Sequence, residues 1–279
     1  MRSEEQESEE SRESEESKES TGSRLSSLSS LSPLSSLSSL SSLSASAVGT
    51  ELLDDPHLDA ALARRLLLDI ATANFWLGGW AAVRFGLARL LGPADRGTTV
   101  TLLDIGAGAG DIPLRAVRWG AGRGVTIVPI ALDRIPAAAA LAGERGVATV
   151  AACAERPPFA ARSVDIVVLS QVVHHFDADG AVRLLASAGQ LARRGVVVGE
   201  LRRSRLAALG FRAAGAALGL HHHTVTDGVT SLRRGYLADE LAALCRRAGE
   251  VAGEGAADVR ATARPFSRVV AWWRTDAHH

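Results

Sequence analysis

The chain has 279 residues, of which 47% are hydrophobic, and its formal net charge at pH 7 is zero. This length can bury one good-sized core, and the charge balance gives no support to nucleic-acid binding. No apolar run reaches the roughly 18 residues of a membrane-spanning helix, and the acidic N-terminus is unlike a signal peptide. The two cysteines, Cys153 and Cys245, predict neither a disulfide framework nor a cysteine zinc site. We therefore expect a cytoplasmic protein without stable membrane insertion.

Residues 1–48 form two low-complexity blocks that we expect to be a disordered tail. In the first block, residues 2–24 contain nine glutamates and four basic residues, a net charge of −5, which leaves +5 on the rest of the chain. The second block has a leucine at every third residue from Leu25 to Leu43, a spacing that a helix cannot keep on one face. A weak interaction segment is the alternative. We expect the folded domain to cover residues 49–279.

The first part of this domain, residues 49–97, is predicted to be a helical cap. Two helices are expected at about 57–72 and 80–91, with a break at a Gly-Gly pair between them. Asp55 precedes a proline and is the expected N-cap of the first helix.

Short apolar runs alternate with helical stretches through a predicted core at residues 98–201. The expected strands are TVTLLD, VTIVPIALD, VATVAAC, VDIVVLS and GVVVGEL, and the helices between them are Ile112–Trp119, Pro136–Gly143 and Ala178–Arg194. Strands that are apolar on both faces and are separated by helices are typical of a covered parallel sheet.

The last third of the chain has a different pattern. An insert at 202–236 contains a predicted helix at 204–218, and the family resemblance given below implies that this insert forms a substrate lid. The closing segment, 237–279, contains a helix at 237–248 and then two strands, about 256–262 and SRVVAWWR, which predict an antiparallel edge.

The segment LLDIGAGAGDIP, residues 102–113, joins the first strand to the first core helix. Its three alternate glycines allow a tight turn and let a ligand approach a backbone that has no Cβ atoms, while free N–H groups at the helix start face that ligand. In a doubly wound sheet, ligands bind at the carboxyl ends of the strands. Asp104 ends the first strand, and Asp133 ends the second, where its carboxylate can accept hydrogen bonds from ribose hydroxyls. These features predict a nucleoside-like cofactor.

Two cofactors are possible ligands of this glycine loop. A nicotinamide dinucleotide site requires G-x-G-x-x-G, but Asp111 occupies the position of the last glycine, and its carboxylate would face a pyrophosphate. S-adenosylmethionine has no phosphate, and its ammonium and sulfonium groups suit Asp104 and Asp111. The pattern D-x-G-x-G-x-G resembles motif I of the class I S-adenosylmethionine-dependent methyltransferases.

This resemblance extends over residues 99–200. The segment ACAERPPFAARSVDIVVLSQVVHHF is similar to GDAExLPFxxxSFDxVxxxxxLHHF of the methyltransferases related to ubiquinone and menaquinone biosynthesis. The flanks ATANFWLGGW and DGVTSLRRGYLADELAALCRRAG resemble a bacterial subgroup associated with polyketide and other secondary-metabolite pathways. The resemblance implies an α/β, Rossmann-like, seven-stranded class I fold, whose mostly parallel sheet has an antiparallel edge strand and whose N-terminal helices lie over the cofactor site. It also implies methyl transfer from S-adenosylmethionine to an oxygen or carbon of a phenolic, quinone-like or polyketide small molecule.

The resemblance also assigns site residues. Cys153 and Ala154 would hold the adenine edge, mainly through the Ala154 N–H, and Cys153 stands where the family usually has aspartate. Ser170 and Gln171 would lie near the methionine end, and Phe159 would pack in the core or under the adenine. The complete expected cofactor-binding set is Asp104, Gly106, Ala107, Gly108, Gly110, Asp133, Arg134, Cys153, Ala154 and Ser170.

His174 and His175 follow the fourth strand and are the candidate catalytic residues. An imidazole with a pKa near ~6.5 can take a proton from a phenol or an enol. Alternatively, one histidine packs or caps the next helix while the other lines the pocket. Transfer to an oxygen or carbon that is already ionised needs no base, because in-line positioning supplies most of the acceleration.

Other polar residues also have more than one possible role. His221–His223 are expected in a loop near the substrate mouth, and no metal site is predicted because adjacent histidines rarely converge on one ion. Arg233 or Arg234 either pairs with an acidic substrate or faces solvent. In the N-terminal cap, Asn74 is the polar residue expected near the cofactor.

The expected partner is a small-molecule methyl acceptor, with no nucleic acid. An RNA or protein methyltransferase is the alternative enzyme, although the chain shows neither a basic RNA-binding module nor an Asn-Pro-Pro-Tyr motif. A non-catalytic protein that binds S-adenosylmethionine is the alternative of another class. The identity of the acceptor and the oligomeric state remain open at this level.

Overall fold

The computed structural model describes residues 51–55, 57–253 and 258–275. The predicted disordered tail, residues 1–48, lies outside the described residues.

The described residues contain seven strands and eight α-helices. The strands are β1 (Thr99–Ile105), β2 (Thr126–Asp133), β3 (Ala148–Ala151), β4 (Val164–Ser170), β5 (Ala192–Leu201), β6 (Arg260–Arg264) and β7 (Arg268–Arg274). The helices are α1 (Ala60–Trp76), α2 (Gly79–Leu90), α3 (Asp111–Ala121), α4 (Pro136–Glu144), α5 (Ala178–Leu191), α6 (Arg205–Ala217), α7 (His222–Arg234) and α8 (Ala238–Val251).

The seven strands form one sheet in the order β3-β2-β1-β4-β5-β7-β6. The first five strands are parallel to one another, whereas β7 is antiparallel to both of its neighbours. The expected α/β fold, a mostly parallel seven-stranded sheet closed by an antiparallel edge hairpin, is confirmed. Strands β1 and β4 lie side by side, and the chain winds outward from them in both directions. Their carboxyl ends therefore form the crevice where such sheets bind ligands.

Both faces of the sheet are buried because successive side chains of each strand point to opposite sides. On β1, Leu102 packs with the apolar residues of α2 and α3, whereas its neighbour Leu103 packs with those of α5 and α8. The two cores explain why the strands are apolar throughout, and they hold the loops of the crevice on a rigid base.

The helical cap begins later than expected. The first helix was predicted at 57–72 with Asp55 as its N-cap, but α1 begins at Ala60 and its N-cap is Asp59, whose Oδ1 accepts the Leu62 N–H at 2.9 Å. Asp55 instead accepts the N–H of His57, two residues further on, at 2.9 Å. Its carboxylate is therefore used by a local turn and cannot cap a helix that starts five residues later.

Two other boundaries differ from the predictions. The helix expected at Ala178–Arg194 ends at Leu191, and its last three residues belong to β5, which pairs with β4 through an irregular register. His221–His223 are not a loop: His221 is the N-cap of α7, and His222 and His223 are its first residues. Among the described residues, no single helix has the length and hydropathy to span a membrane; α1 and α2 pass that test only as a pair bent by 62°.

Candidate active site

A cavity of about 410 Å³ lies at the carboxyl ends of the strands. Its volume falls within the range of about 300–1,000 Å³ that is usual for small-ligand pockets. The predicted site residues that line it are Asp104, Gly106, Ala107, Gly108, Asp133, Arg134, Cys153, Ala154, Ser170, His174 and His175. The fold thus brings together both groups of candidates, those for the cofactor and those for catalysis.

The glycine loop between β1 and α3 is shaped by two close approaches. Gly106 has a φ of +73°, and a Cβ atom there would lie 2.4 Å from Cγ2 of Val172, so no larger residue fits. Gly108 has a φ of +53°, and a Cβ there would meet only Leu67, at 3.6 Å. The space in front of Gly108 therefore belongs to the cavity, and the absence of a side chain lets a ligand reach the backbone.

Gly110 is the predicted loop residue that does not line the cavity. It is the N-cap of α3 with a φ of +69°, and a Cβ there would lie 3.0 Å from Cβ of Ala142 in α4. Its role in the structure is to let α3 and α4 pack closely. It is not in the set of residues that could touch a ligand in this cavity.

Three buried carboxylates give this end of the cavity a negative character. Burial raises the pKa of Asp104 well above its usual value, and the nearby Asp111 and Asp133 raise it further. Burial also raises the pKa of Asp111, which Asn74, Arg115 and Arg145 partly offset. One oxygen of Asp104 and one of Asp111 are buried without a hydrogen-bond partner among the described residues. Such groups are costly unless a ligand satisfies them, and a cationic ligand does so best.

Asp133 is held by the backbone around it. Its Oδ2 accepts the N–H of Gly108 at 2.8 Å, and its Oδ1 accepts the N–H of Ile135 at 2.9 Å. Burial raises its pKa, although these backbone bonds lower it in part. Each oxygen keeps a second lone pair, so the carboxylate can still accept hydroxyl hydrogens from a ligand.

A hydrogen-bond chain ties the helical cap to the cofactor end. The side-chain amide of Gln171, just after β4, donates to Oδ1 of Asn74 in α1, and Asn74 hydrogen bonds in turn to Asp111. Gln171 has a φ of +60°, an unfavourable conformation for a residue with a side chain, which often marks a functional position. Asn74, the cap residue expected near the cofactor, does line the cavity.

The second pole of the site is the His174–Glu200 pair. Both residues are buried, and Nδ1 of His174 lies 2.8 Å from Oε2 of Glu200 at the end of β5. Glu200 also accepts the N–H groups of Val173, at 2.8 Å, and Leu201, at 3.1 Å. Burial alone would raise the pKa of Glu200, but His174 and these donors outweigh it, so the pKa lies below its usual value. Glu200 is thus ionised and fixes the orientation of the His174 ring.

Glu51 lies on the other side of the two histidines. Its carboxylate is 3.8 Å from Nε2 of His174 and 3.7 Å from Nε2 of His175, and it accepts a hydrogen bond of 2.5 Å from Ser231 in α7. A guanidinium nitrogen of Arg234 lies 3.5 Å from the same carboxylate. The Nε2 atom of His174 has no hydrogen-bond partner among the residues that the structure describes, although it is buried.

The remaining candidates lie at the edges of the site. Cys153 is exposed at the rim of the cavity, and Phe159 packs against the main core instead of lining it. His221–His223 stack on one another at the start of α7 and are not among the cavity-lining residues, although Thr224 of the same helix is. Arg233 is exposed, and Tyr236 hydrogen bonds through its hydroxyl to the Val173 carbonyl at 3.4 Å.

Several charged residues of the cavity region were not predicted from the sequence, among them Glu51, Glu200 and Arg268. Glu200 carries a detectable signal, because a carboxylate directly after the apolar run VVVG is at the carboxyl end of a buried strand. Arg268 carries a comparable signal, because a charged residue directly precedes the apolar run VVAWW of β7. Glu51 precedes every predicted element and has no such signal.

Comparison with known proteins agrees with this geometry. Residues 103–198, about a third of the chain, match the family described as "Methyltransferase domain". No curated protein matches the sequence. Among solved structures, an S-adenosylmethionine-dependent methyltransferase from Aquifex aeolicus is 14% identical with a TM-score of 0.51, over 78% of this chain and 99% of that one. Human N-acetylserotonin methyltransferase, solved in complex with S-adenosylmethionine, is 13% identical with a TM-score of 0.51, over 77% and 56%. At such identities the structural likeness shows the fold.

The residues present fit S-adenosylmethionine. Asp104 and Asp111 each supply a buried carboxyl group with one oxygen that has no hydrogen-bond partner among the described residues, and the open face of Gly108 supplies close backbone access. Residues 103–198 thus match a methyltransferase domain, and the cavity at the carboxyl ends of its strands fits this cofactor.

Proposed function

We propose that this enzyme methylates a hydroxyl oxygen of a small molecule, with His174 as the general base. The observation that carries the proposal is the buried His174–Glu200 pair beside the cavity, in which Nε2 of His174 neither accepts nor donates a hydrogen bond among the described residues. A base of this kind is useful for a hydroxyl that must lose a proton during transfer, and such catalysis contributes about 10²–10⁴-fold. When bound, S-adenosylmethionine supplies a methyl group on a positively charged sulfur, which an oxygen nucleophile can accept.

We assign the cofactor to the acidic end of the cavity. In this assignment Asp104 and Asp111 face its cationic amino acid portion, Asp133 accepts its ribose hydroxyls, and the Ala154 N–H holds the adenine edge. Asn74 and Gln171 then close the cap over the methionine end. Charge complementarity supports this orientation, because the reverse one would place the unpartnered carboxylates against an uncharged base.

We assign the acceptor to the end of the cavity that contains the histidines. Glu200 acts as a positioning residue, since it fixes the His174 ring so that Nδ1 carries the proton and Nε2 is free to accept one. The carboxylate of Glu51 lies 3.8 Å from that Nε2, so an acceptor hydroxyl has to displace it to reach the base. His175 also lines the cavity, with the Glu51 carboxylate 3.7 Å from its Nε2, and we assign it to the wall that bounds the acceptor.

The acceptor class that we infer is phenolic, quinone-like or polyketide. Apolar residues around the same end support it, including Leu201, Phe211 and Leu232. The similarity of the flanking sequences to the secondary-metabolite subgroup supports the same class. Two free cysteines agree with a cytoplasmic location, which is part of the proposal.

The test is formation of S-adenosylhomocysteine, followed by mass spectrometry over a panel of phenols, hydroxyquinones and polyketide aromatics. We expect transfer to at least one phenolic hydroxyl. We also expect His174→Asn to lower kcat by about 100-fold or more at unchanged cofactor affinity, whereas His175→Asn, the matched control, retains most of kcat. Full kcat in His174→Asn contradicts the assignment of the base. Methylation of tRNA or of a peptide in place of the panel favours the alternative enzymes, and cofactor binding without any transfer favours a non-catalytic protein.

A further inference from the structure

The acceptor end of the cavity contains a buried arginine that the proposed reaction does not use. Arg268 is the first residue of β7, opposite Leu201 of β5, and it lines the cavity with only 3% of its surface exposed. Its Nε donates to the Leu77 carbonyl at 2.8 Å. Its Nη1 is buried without a hydrogen-bond partner in the described part of the chain. A guanidinium has five donors, so most of its hydrogen-bonding capacity is unused.

The charge of Arg268 also lacks a direct counter-ion. Within the described ranges, no carboxylate forms an ion pair with it, and the acid that influences it electrostatically is Glu200. Glu200 is already bound by His174 and by backbone N–H groups. Burial lowers the pKa of Arg268 to about 10, so the side chain is still a cation at neutral pH. A buried cation without a partner is costly, and a ligand anion would remove that cost.

We infer that Arg268 binds a carboxylate of the methyl acceptor, so that the substrate is a hydroxylated aromatic acid. This inference rests on the proposed function and narrows its substrate class. A planar guanidinium pairs with a carboxylate through two parallel hydrogen bonds, which gives both affinity and orientation. Glu200 hydrogen bonds to His174 and influences Arg268 electrostatically, so the base and the proposed anion-binding group are both near Glu200. The acid group would therefore anchor the acceptor while a separate hydroxyl faces His174.

A purely structural role is the competing explanation, and the chain supplies a control for it. Arg268 donates to Leu77, the C-cap of α1, and so connects the helical cap to the sheet. Arg274, at the other end of β7, donates in the same way to the Leu90 carbonyl at the end of α2, at 2.9 Å. Arg274 is not among the cavity-lining residues. If the role is structural, both arginines should behave alike.

The experiment compares two probes that differ in one ionised group, 4-hydroxybenzoate and 4-hydroxybenzamide. Each is titrated by calorimetry into the full-length protein saturated with S-adenosylhomocysteine, so that no transfer consumes the probe. We expect the wild type to bind the acid at least about tenfold more tightly than the amide, as a charge-assisted pair requires. Arg268→Met should remove this preference, Arg268→Lys should retain part of it, and Arg274→Met should retain all of it.

Several results would overturn the inference: equal affinity of the wild type for both probes, no binding of either probe at millimolar concentration, or a preference for the acid that survives Arg268→Met. Equal loss of preference in Arg274→Met would assign Arg268 a structural role. If Arg268→Met fails to fold, Arg268→Lys decides by the same ratio. Methyl transfer to each probe is scored separately. Acid-selective binding without transfer contradicts only the proposed function, whereas equal transfer to acid and amide contradicts only the role of Arg268.

Discussion

Asp104→Asn replaces one buried ionisable group at nearly constant volume, and the structure predicts two effects of opposite sign. The carboxylate has 1% of its surface exposed and one oxygen without a partner among the described residues. Burial raises its pKa in the folded protein, with Asp111 and Asp133 adding to the shift. The folded state therefore binds the proton more tightly than the unfolded state, and this group loses stability as pH rises from the unfolded pKa near ~3.9 through the raised folded pKa.

The raised pKa of Asp104 lowers the stability of the folded protein without cofactor at neutral pH, so Asp104→Asn should raise its melting temperature. The same substitution should weaken S-adenosylmethionine binding, because an ionic hydrogen bond to the cationic amino group is lost. Such a bond contributes about 1.5–3 kcal/mol, which corresponds to a Kd increase of roughly 10-fold to 150-fold.

The assay is titration calorimetry in buffers of different ionisation enthalpy, together with thermal unfolding. Binding of the cation should release protons from the wild type, and Asp104→Asn should release fewer. Asp165→Asn is the control: it lies on β4 outside the cavity, and Arg193, at 2.9 Å, and Thr101 lower its pKa despite partial burial. That variant should lose stability and keep its cofactor affinity. Wild-type affinity in Asp104→Asn, together with an unchanged melting temperature, would refute the reasoning.

Three further predictions concern neighbouring groups. Asp133→Ala should weaken S-adenosylmethionine binding at least about tenfold by calorimetry, and an unchanged Kd would argue against its ribose role. Glu200→Gln should lower kcat without changing the cofactor Kd. It should also flatten the loss of unfolding free energy that the wild type shows as pH falls through the depressed pKa of Glu200, and an identical pH dependence of both proteins would count against the ionised pair. Gly106→Ala should lower the unfolding free energy by about 1–3 kcal/mol, since its Cβ would lie 2.4 Å from Val172. Gly108→Ala should cost less stability but more cofactor affinity, and the reverse ranking in denaturant melts and titrations would contradict the loop geometry.

The cofactor end could be predicted from the sequence because its residues are local. Asp104, Gly106 and Gly108 follow one another on a single strand-turn-helix unit, and Asp133 ends the strand that pairs with β1. Neighbouring strands of a parallel sheet bring their carboxyl ends together. Correct prediction of the strands therefore also predicts that the residues at their carboxyl ends lie close to one another. Gly110 shows the limit of this reasoning. Its glycine belongs to the pattern, but only the packing of α4 reveals that it faces Ala142.

Helix α7 could not be predicted, because its stability depends on distant contacts. After the N-cap His221, its first residues are two histidines followed by β-branched residues, a weak helix-forming segment. Asp69 of α1 accepts hydrogen bonds from the His221 N–H, at 2.6 Å, and the Thr224 hydroxyl, at 3.2 Å, across more than 150 residues of chain. Those bonds fix the start of α7 against the cap, and no local pattern encodes them. The expectation of a loop there failed for that reason.

The acceptor end is assembled in the same long-range manner, and this explains why the sequence indicates the reaction class before the substrate. Its polar groups come from the segment before α1, the turn after β4, the end of β5 and the start of β7: Glu51, His174, Glu200 and Arg268. Each is a polar residue at the boundary of an apolar element. The role proposed for each depends on contacts with residues that are distant in the sequence. Glu200 is informative because it connects two of them, by a hydrogen bond to His174 and by its charge at Arg268. If the proposed assignments hold, a change of substrate can proceed through Arg268 while Asp104 and the glycine loop keep the cofactor constant.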